Sequence, residues 1–310
     1  MKLLNGEDVE CLSFTPLRSP EQEVKVAAAQ FAPSRSVESN LARMEDMIRE
    51  AVSNGADLVT FPELAVTGAA QSEIEAATEA IVESALVRIG KAAGEQRVTV
   101  VFGMPAFEDG RRQNCAFAVG PEGQLLTRYA QIVVDRPQLF SPGLSTRAMW
   151  FQVKGSWAAV TMGGDALWSE MAELAAVRGA QIHCHLAHDP DQTAAAALRR
   201  RQLWVNLASF HTLTVTVNAA CPDELPDRSL PGSGESIIWE DFHRAIQGGH
   251  GGFAPYSAYP VCCAGRGEEI IYATRQLPAV NPQFEDMTGR VTPQMKPWYS
   301  AGALAMDAEA

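Results

Sequence analysis

Glu63 closes an apolar run, Leu58-Val59-Thr60-Phe61-Pro62, and Asp165 follows a pair of glycines, Gly163-Gly164. A carboxylate just past a buried strand can anchor a ligand or act as a general base on water, or it can be a scaffold group hydrogen-bonded to nearby backbone and side chains. Successive glycine N–H groups ahead of a helix can hold an anion or a carbonyl oxygen, since glycine lets backbone approach closely. The same pair also reads as a plain strand-to-helix turn. His183, His185 and His188 form a third group. Side chains alternate along a strand, so His183 and His185 share a face, and His188 lies just past the end beside Asp189. With Glu63 or Asp165, the pair His185 and His188 has the donor types of a divalent-metal site. The simpler reading is hydrogen-bonded histidines lining a pocket, which calls for no metal and no cofactor. Arg147 and His250 fall on expected loops from which they could reach a ligand.

The chain has 310 residues, 46% of them hydrophobic, enough for one large α/β domain with a sizeable core. Its net charge of -12 and the lack of a long basic run exclude nucleic acid and an anionic membrane surface as expected partners. The one basic cluster, Arg199-Arg200-Arg201, reads as a solvated helix face or an intramolecular ion-pair set. Six cysteines show no CxxC and no regular framework, which fits a reducing compartment. The acidic first residues lack an apolar signal core, and no apolar stretch reaches the roughly 20 residues of a membrane span. The expectation is a soluble, cytoplasmic protein.

The elements that would position these residues alternate between helix and strand. Val24–Phe31 reads as a buried strand. A helix follows, with Leu41, Met44, Met47, Ile48, Ala51 and Val52 as its apolar stripe, and Asn54-Gly55 as its stop. The next elements are a strand over 56–61, one helix over 72–95 and a strand over 98–103. A hairpin follows, with strands over 115–120 and 125–134 around Pro121-Glu122-Gly123. Further on come strands over 158–162, 181–186, 212–218 and 270–275, with helices over 169–177 and 192–207. The stretch 222–252 is Gly- and Pro-rich. One internal echo stands out: helix, Asn54-Gly55-Ala56-Asp57, strand recurs as helix, Arg178-Gly179-Ala180-Gln181, strand. Strands with continuous apolar runs are buried on both faces, so two packed sheets with helices outside each give a four-layer α-β-β-α sandwich. The expected organisation is an arm over 1–23, the domain over 24–280 and a tail over 281–310.

Between Val24 and Pro278 the chain resembles the nitrilase, or carbon–nitrogen hydrolase, superfamily. The resemblance rests on the run Gly55 to Gly68 through Phe61-Pro62-Glu63, then Asn114, Tyr129, Phe140-Ser141-Pro142-Gly143 and Asp165 through Glu170, with weaker support from Gly179-Ala180 and Asn218. It implies a glutamate base, a lysine and a nucleophilic cysteine that forms an acyl intermediate. Matched position by position, the glutamate is Glu63. The lysine position, two residues after Tyr129, reads Gln131. The cysteine position, two before Asp165, reads Gly163. The rival nucleophile Cys184, with Lys154 thirty residues earlier, lies inside a strand where the family has none and reads as a small buried hydrophobe. The resemblance therefore implies loss of thiol-dependent hydrolysis, because glycine carries no nucleophile and glutamine no charge. The favoured expectation is a pseudoenzyme that binds a small molecule or partner in the old pocket, with Gly164, Asp165, His185, His188 and Tyr129 as candidate ligand contacts. The alternative is cysteine-independent chemistry on an amide, nitrile or related substrate, with Glu63 as general base and His185, His188 or a metal assisting. The resemblance also implies a homodimer or larger assembly, with the tail reaching a neighbour.

Overall fold

The first of two six-stranded sheets holds β1 (Gln22–Gln30), β2 (Leu58–Thr60), β3 (Thr99–Glu108), β4 (Arg111–Val119), β5 (Leu125–Ala130) and β12 (Glu269–Leu277), in the order β12-β1-β2-β3-β4-β5. The second holds β6 (Trp150–Val153), β7 (Ser156–Met162), β8 (Ile182–Leu186), β9 (Leu213–Val217), β10 (Ile237–Asp241) and β11 (Ala258–Cys263), in the order β11-β10-β9-β8-β7-β6. The computed structural model describes residues 16–210, 212–221, 232–241 and 258–281. Most of the expected arm, His250 and its glycines, the tail from 282 and the side chain of Arg147 lie outside the described residues.

Alternation along β1 builds the layers. Val24, Val26 and Ala28 face the second sheet and pack with Val160, Ile182, Cys184 and Val215. Ala27 and Ala29 point the other way, onto α1 (Val37–Ser53) and α3 (Glu79–Gln96), where Met44, Met47, Ile48, Ile89 and Ala93 bury their side chains. Alanine on this face lets the helices lie close, and each large apolar side chain buried here contributes roughly 1.5–3 kcal/mol. On the far side α4 (Glu170–Arg178) and α5 (Ala194–Ala208) cover the second sheet, with Trp204 and Leu207 against Ile237 and Trp239. The result is the expected four-layer sandwich.

The internal echo is structural. Gly55 and Gly179 both take positive φ, +80° and +128°, to end α1 and α4. The next residue in each case donates back into the helix, Ala56 to Ala51 O at 3.1 Å and Ala180 to Ala175 O at 2.9 Å. Asp57 and Gln181 then start β2 and β8 by donating to Lys25 O and Trp157 O. Each sheet is thus a parallel trio, β1-β2-β3 and β7-β8-β9, extended by antiparallel strands.

Several boundaries differ from the sequence reading. The helix expected over 72–95 is two, α2 (Gln71–Ala76) and α3, because the Thr78 hydroxyl caps a fresh start by accepting from Ile81 N at 3.3 Å. The strand expected to run to Val134 stops at Ala130. The amides of Ile132 and Val133 turn instead to the Asp165 carboxylate, at 3.1 and 2.8 Å. Strand β10 lies within the stretch read as Gly- and Pro-rich, and β6 and β11 were not expected from pattern. Lys154 is not in a strand: it sits at φ +51° in the β6–β7 turn, beside Asp57 Oδ1 at 3.2 Å.

Candidate functional site

The carboxyl ends of β2, β7 and β8 converge on one cavity, as parallel strands in open sheets commonly do. Its volume is about 420 Å³, and Glu63, Asp135, Arg136, Gly163, Gly164, His185, His188, Asp189, Arg200 and Trp204 are among the lining residues.

Glu63 is set by the turn after β2. Phe61 N still pairs with Val101 O, after which the chain folds over β3 with Leu64 at φ +55°. A leucine in the left-handed region costs about 1 kcal/mol or more, so the surrounding structure must hold it there. Gly103 makes the approach possible, since a Cβ there would lie 2.7 Å from Leu64 N and 2.8 Å from Glu63 Cα. The carboxylate is 5% exposed. Its Oε1 accepts from Asn114 Nδ2 at 2.5 Å, and its Oε2 from the His188 amide at 3.2 Å. Burial raises its pKa to about 7, against the lowering pull of the Arg136 guanidinium; the Asp135 carboxylate pushes it further up.

Gly163 and Gly164 open the 3-10 turn Gly163–Leu167 after β7. Gly163 sits at φ +49°, and a Cβ there would meet Gln131 Nε2, lie 2.7 Å from Asp135 Oδ2 and lie 3.2 Å from Glu63 Oε2. The space beside Gly163 is thus bounded by three polar side chains. Asp135 Oδ2 accepts from Gly164 N at 2.7 Å and from Gln131 Nε2 at 3.1 Å. Gln131 is held in turn by Asn114, whose amide also donates to Gln131 Oε1 at 2.9 Å.

Asp165 and Tyr129 stand behind the turn and do not line the cavity. Asp165 Oδ1 takes the amides of Ile132 and Val133; Oδ2 takes the Tyr129 hydroxyl at 2.8 Å and the Met162 amide at 3.2 Å. Burial raises this carboxyl to about 6 despite those donors. The pair is a strut that fixes the chain after β5 against the turn after β7.

His183 and His185 do share a face of β8, and both ring nitrogens meet one hydroxyl: Thr161 Oγ1 lies 2.8 Å from His183 Nε2 and 3.0 Å from His185 Nδ1. Burial lowers the two imidazoles, to about 4 and about 3, so both are neutral at pH 7. His185 and His188 line the cavity with Glu63, while Asp165 faces away. Among the described residues no group of three or more His, Cys, Asp and Glu is arranged to hold a metal ion.

Cys184 is fully buried against Thr60 Oγ1 at 3.6 Å, and burial pushes its thiol up to about 12. Lys154 stands at the opposite end of β7, so these two do not meet. The arginine run splits. Arg200 is buried and pairs with Asp189 at 2.8 Å and Glu235 at 3.1 Å, with its guanidinium over the Trp204 ring; Arg201 pairs with Glu235 at 3.5 Å. Asn218 positions the cavity lip by accepting from Asp189 N at 2.9 Å. Sequence reasoning passed over Asp135 and Arg136. Their local signal was a charged pair followed by Pro137 after the apolar run Ile132-Val133-Val134, which marks a loop.

This fold and this cavity have a family. Residues 25–212 match carbon-nitrogen hydrolase, and the chain belongs to that family. Nit3 of Saccharomyces cerevisiae, a nitrilase-superfamily member, superposes with a TM-score of 0.71 at 19% identity, covering 88% of this chain and 97% of that one. An amidase from Nesterenkonia sp. gives 0.69 at 18% identity, covering 91% and 98%. A glutamine-dependent NAD(+) synthetase of Acinetobacter baylyi (strain ATCC 33305 / BD413 / ADP1) is 33% identical over 131 residues, and the match spans 38% of this chain and 23% of that relative. No helix among the described residues is long and apolar enough to cross a membrane.

Proposed function

We propose that this family member has lost thiol-dependent carbon–nitrogen hydrolysis and uses the retained cavity to bind a small amide, acid or amine. The observation that carries the reading is the surroundings of Gly163. No thiol is present at the end of β7, and Gln131 and Asp135 crowd the place where a side chain would begin. Gln131, at the family's lysine position, is a neutral amide held by Asn114. Cys184, in β8 beside β7, is buried and bonded to Thr60. On this reading Glu63 anchors the ligand, with His185 and His188 beside it, and Tyr129 and Asp165 act by bracing the turn.

A second reading has its own support: a cysteine-independent reaction with Glu63 as the proton-transferring group. The cavity is open, and a carboxyl poised near pH 7 is suited to give and take protons at physiological pH. Ammonia release across amides, nitriles and N-carbamoyl compounds separates the two. Turnover that Glu63→Gln abolishes supports catalysis; no turnover above that variant, with a ligand still bound by calorimetry, supports binding alone. We also propose a homodimer, with the exposed Leu167, Trp168 and Leu198 among the apolar side chains available to it. A monomer by light scattering at micromolar concentration contradicts it.

A further inference from the structure

The cysteine-independent reading leaves open what takes the place of the thiol and the lysine charge. Asp135 and Arg136 stand where both functions are needed. They leave the sheet just after β5, where Asp165 has pulled the Ile132 and Val133 amides out of strand pairing. Asp135 then folds its carboxylate against the two glycines. Its Oδ2 takes the Gly164 amide and lies 2.7 Å from the Cβ position of Gly163; its Oδ1 lies 2.6 Å from that of Gly164. Any side chain at either glycine competes for the room this carboxylate fills, so bare glycine at 163 and aspartate at 135 form one steric unit. Glu63 Oε2 is 3.2 Å from the same Gly163 point, so the two carboxylate oxygens are no more than about 6 Å apart. At most one water or one reacting carbonyl fits between oxygens that close. Oδ1 of Asp135 accepts no hydrogen bond from any described residue. Arg136 lines the same cavity, fixed by its bond to Ala69 O at 2.7 Å and by the Phe140 ring, and its charge acts directly on Glu63.

We propose that Asp135 and Arg136 are catalytic residues that, with Glu63, hydrolyse a small carboxamide by direct attack of water, without an acyl-enzyme. This rests on the cysteine-independent reading. The Asp135 carboxylate takes a proton from water as the water oxygen bonds to the carbonyl carbon. Arg136 faces the developing oxyanion and supplies the positive charge that Gln131 lacks. Protonated Glu63 gives its proton to the nitrogen as the carbon–nitrogen bond breaks, releasing acid and ammonia. Passage of the proton from Asp135 back to Glu63 through solvent restores the start. Two carboxyls in different environments, one acid and one base, are a common division of labour.

The test measures ammonia release from acetamide and butyramide by the wild type, Glu63→Gln, Asp135→Asn and Arg136→Lys, each checked for a cooperative melting transition well above the assay temperature. The expected result in the wild type is a kcat/KM that falls as pH rises through about 7, where Glu63 loses the proton it donates. Asp135→Asn lowers kcat about hundredfold or more with KM little changed. Glu63→Gln removes that alkaline fall. Arg136→Lys keeps it at lower kcat. If Asp135→Asn turns over within threefold of wild type while Glu63→Gln is dead, the assignment of Asp135 is wrong and the reading of Glu63 stands. If the wild type releases no more ammonia than Glu63→Gln, both fall.

Discussion

Asp165 and Glu63 are two carboxylates in the same protein interior, and burial raises both, to about 6 and about 7. They differ in what surrounds each oxygen. Asp165 accepts from four protein donors and faces no cavity. Glu63 accepts from two, shares its charge field with Asp135 and Arg136, and opens onto about 420 Å³ of space. One carboxylate is consumed in joining two loops; the other opens onto a cavity. Perturbed titration alone does not separate structure from function here, because both groups show it. The count of satisfied donors and the open face do.

The comparison breaks most sharply at Asp165. Asp165→Ala leaves the Tyr129 hydroxyl and the amides of Ile132, Val133 and Met162 buried without an acceptor, and the expected loss is about 3–5 kcal/mol in urea unfolding. A loss under about 1 kcal/mol means the strut is not structural. Gly164→Ala comes next, since its Cβ would run into the backbone oxygen of Val133, which cannot turn aside; about 2–3 kcal/mol is expected. Gly163→Cys is milder, about 1–2 kcal/mol, because the colliding groups are the movable ends of Gln131 and Asp135 and the remaining strain is the positive φ. On the proposed reading it does not restore thiol-dependent turnover alone, and ammonia assays of Gly163→Cys with and without Gln131→Lys check this.

Glu63 is expected to show itself through pH. Its folded pKa lies above its ordinary value of 4.5, so the folded state binds the proton more tightly than the unfolded one. The associated stability is fully present below pH 4.5 and lost as pH rises through about 7, at up to about 1.4 kcal/mol per pH unit within that window. Glu63→Gln removes that slope. The histidines act in the opposite direction: folded values below 6.5 give stability that is present above pH 6.5 and lost as pH falls through about 4 for His183 and about 3 for His185. A wild-type stability profile whose pH 5–7 slope matches that of Glu63→Gln contradicts the assignment. The smallest effect is electrostatic. Asp135→Asn removes a charge that raises Glu63, so the Glu63 carboxyl followed by carbon-13 NMR titrates at lower pH in that variant.

Much of this arrangement was legible in sequence, and the limits have physical causes. The four layers followed from apolar strands buried on both faces, and the repeated stop before Ala56 and Ala180 marked the two parallel trios. Glu63, Gly163 and Gly164 were singled out because ordered neighbours fix their register, and all three line the cavity. Asp165 and Tyr129 were read as ligand contacts because spacing cannot tell which side of a turn a side chain takes; their mutual hydrogen bond decides it. The end of β5 was misplaced because the apolar pattern runs on to Val134 while hydrogen bonding does not. Asp135 escaped notice for that reason: its place in the site depends on a tertiary bond, between Asp165 and two amides, that no local pattern encodes. The arginine cluster was read as either a solvated helix face or an ion-pair set; Arg200 is buried in an ion-pair set, and one of its carboxylate partners, Glu235, is distant in sequence.

The most direct test of the claim that the thiol route is closed is an intact-mass measurement on the wild type, acid-quenched during incubation with butyramide. The account predicts the unmodified mass at every time point. An adduct of one acyl group, released by hydroxylamine and mapped to Cys184 or any other cysteine, would contradict it.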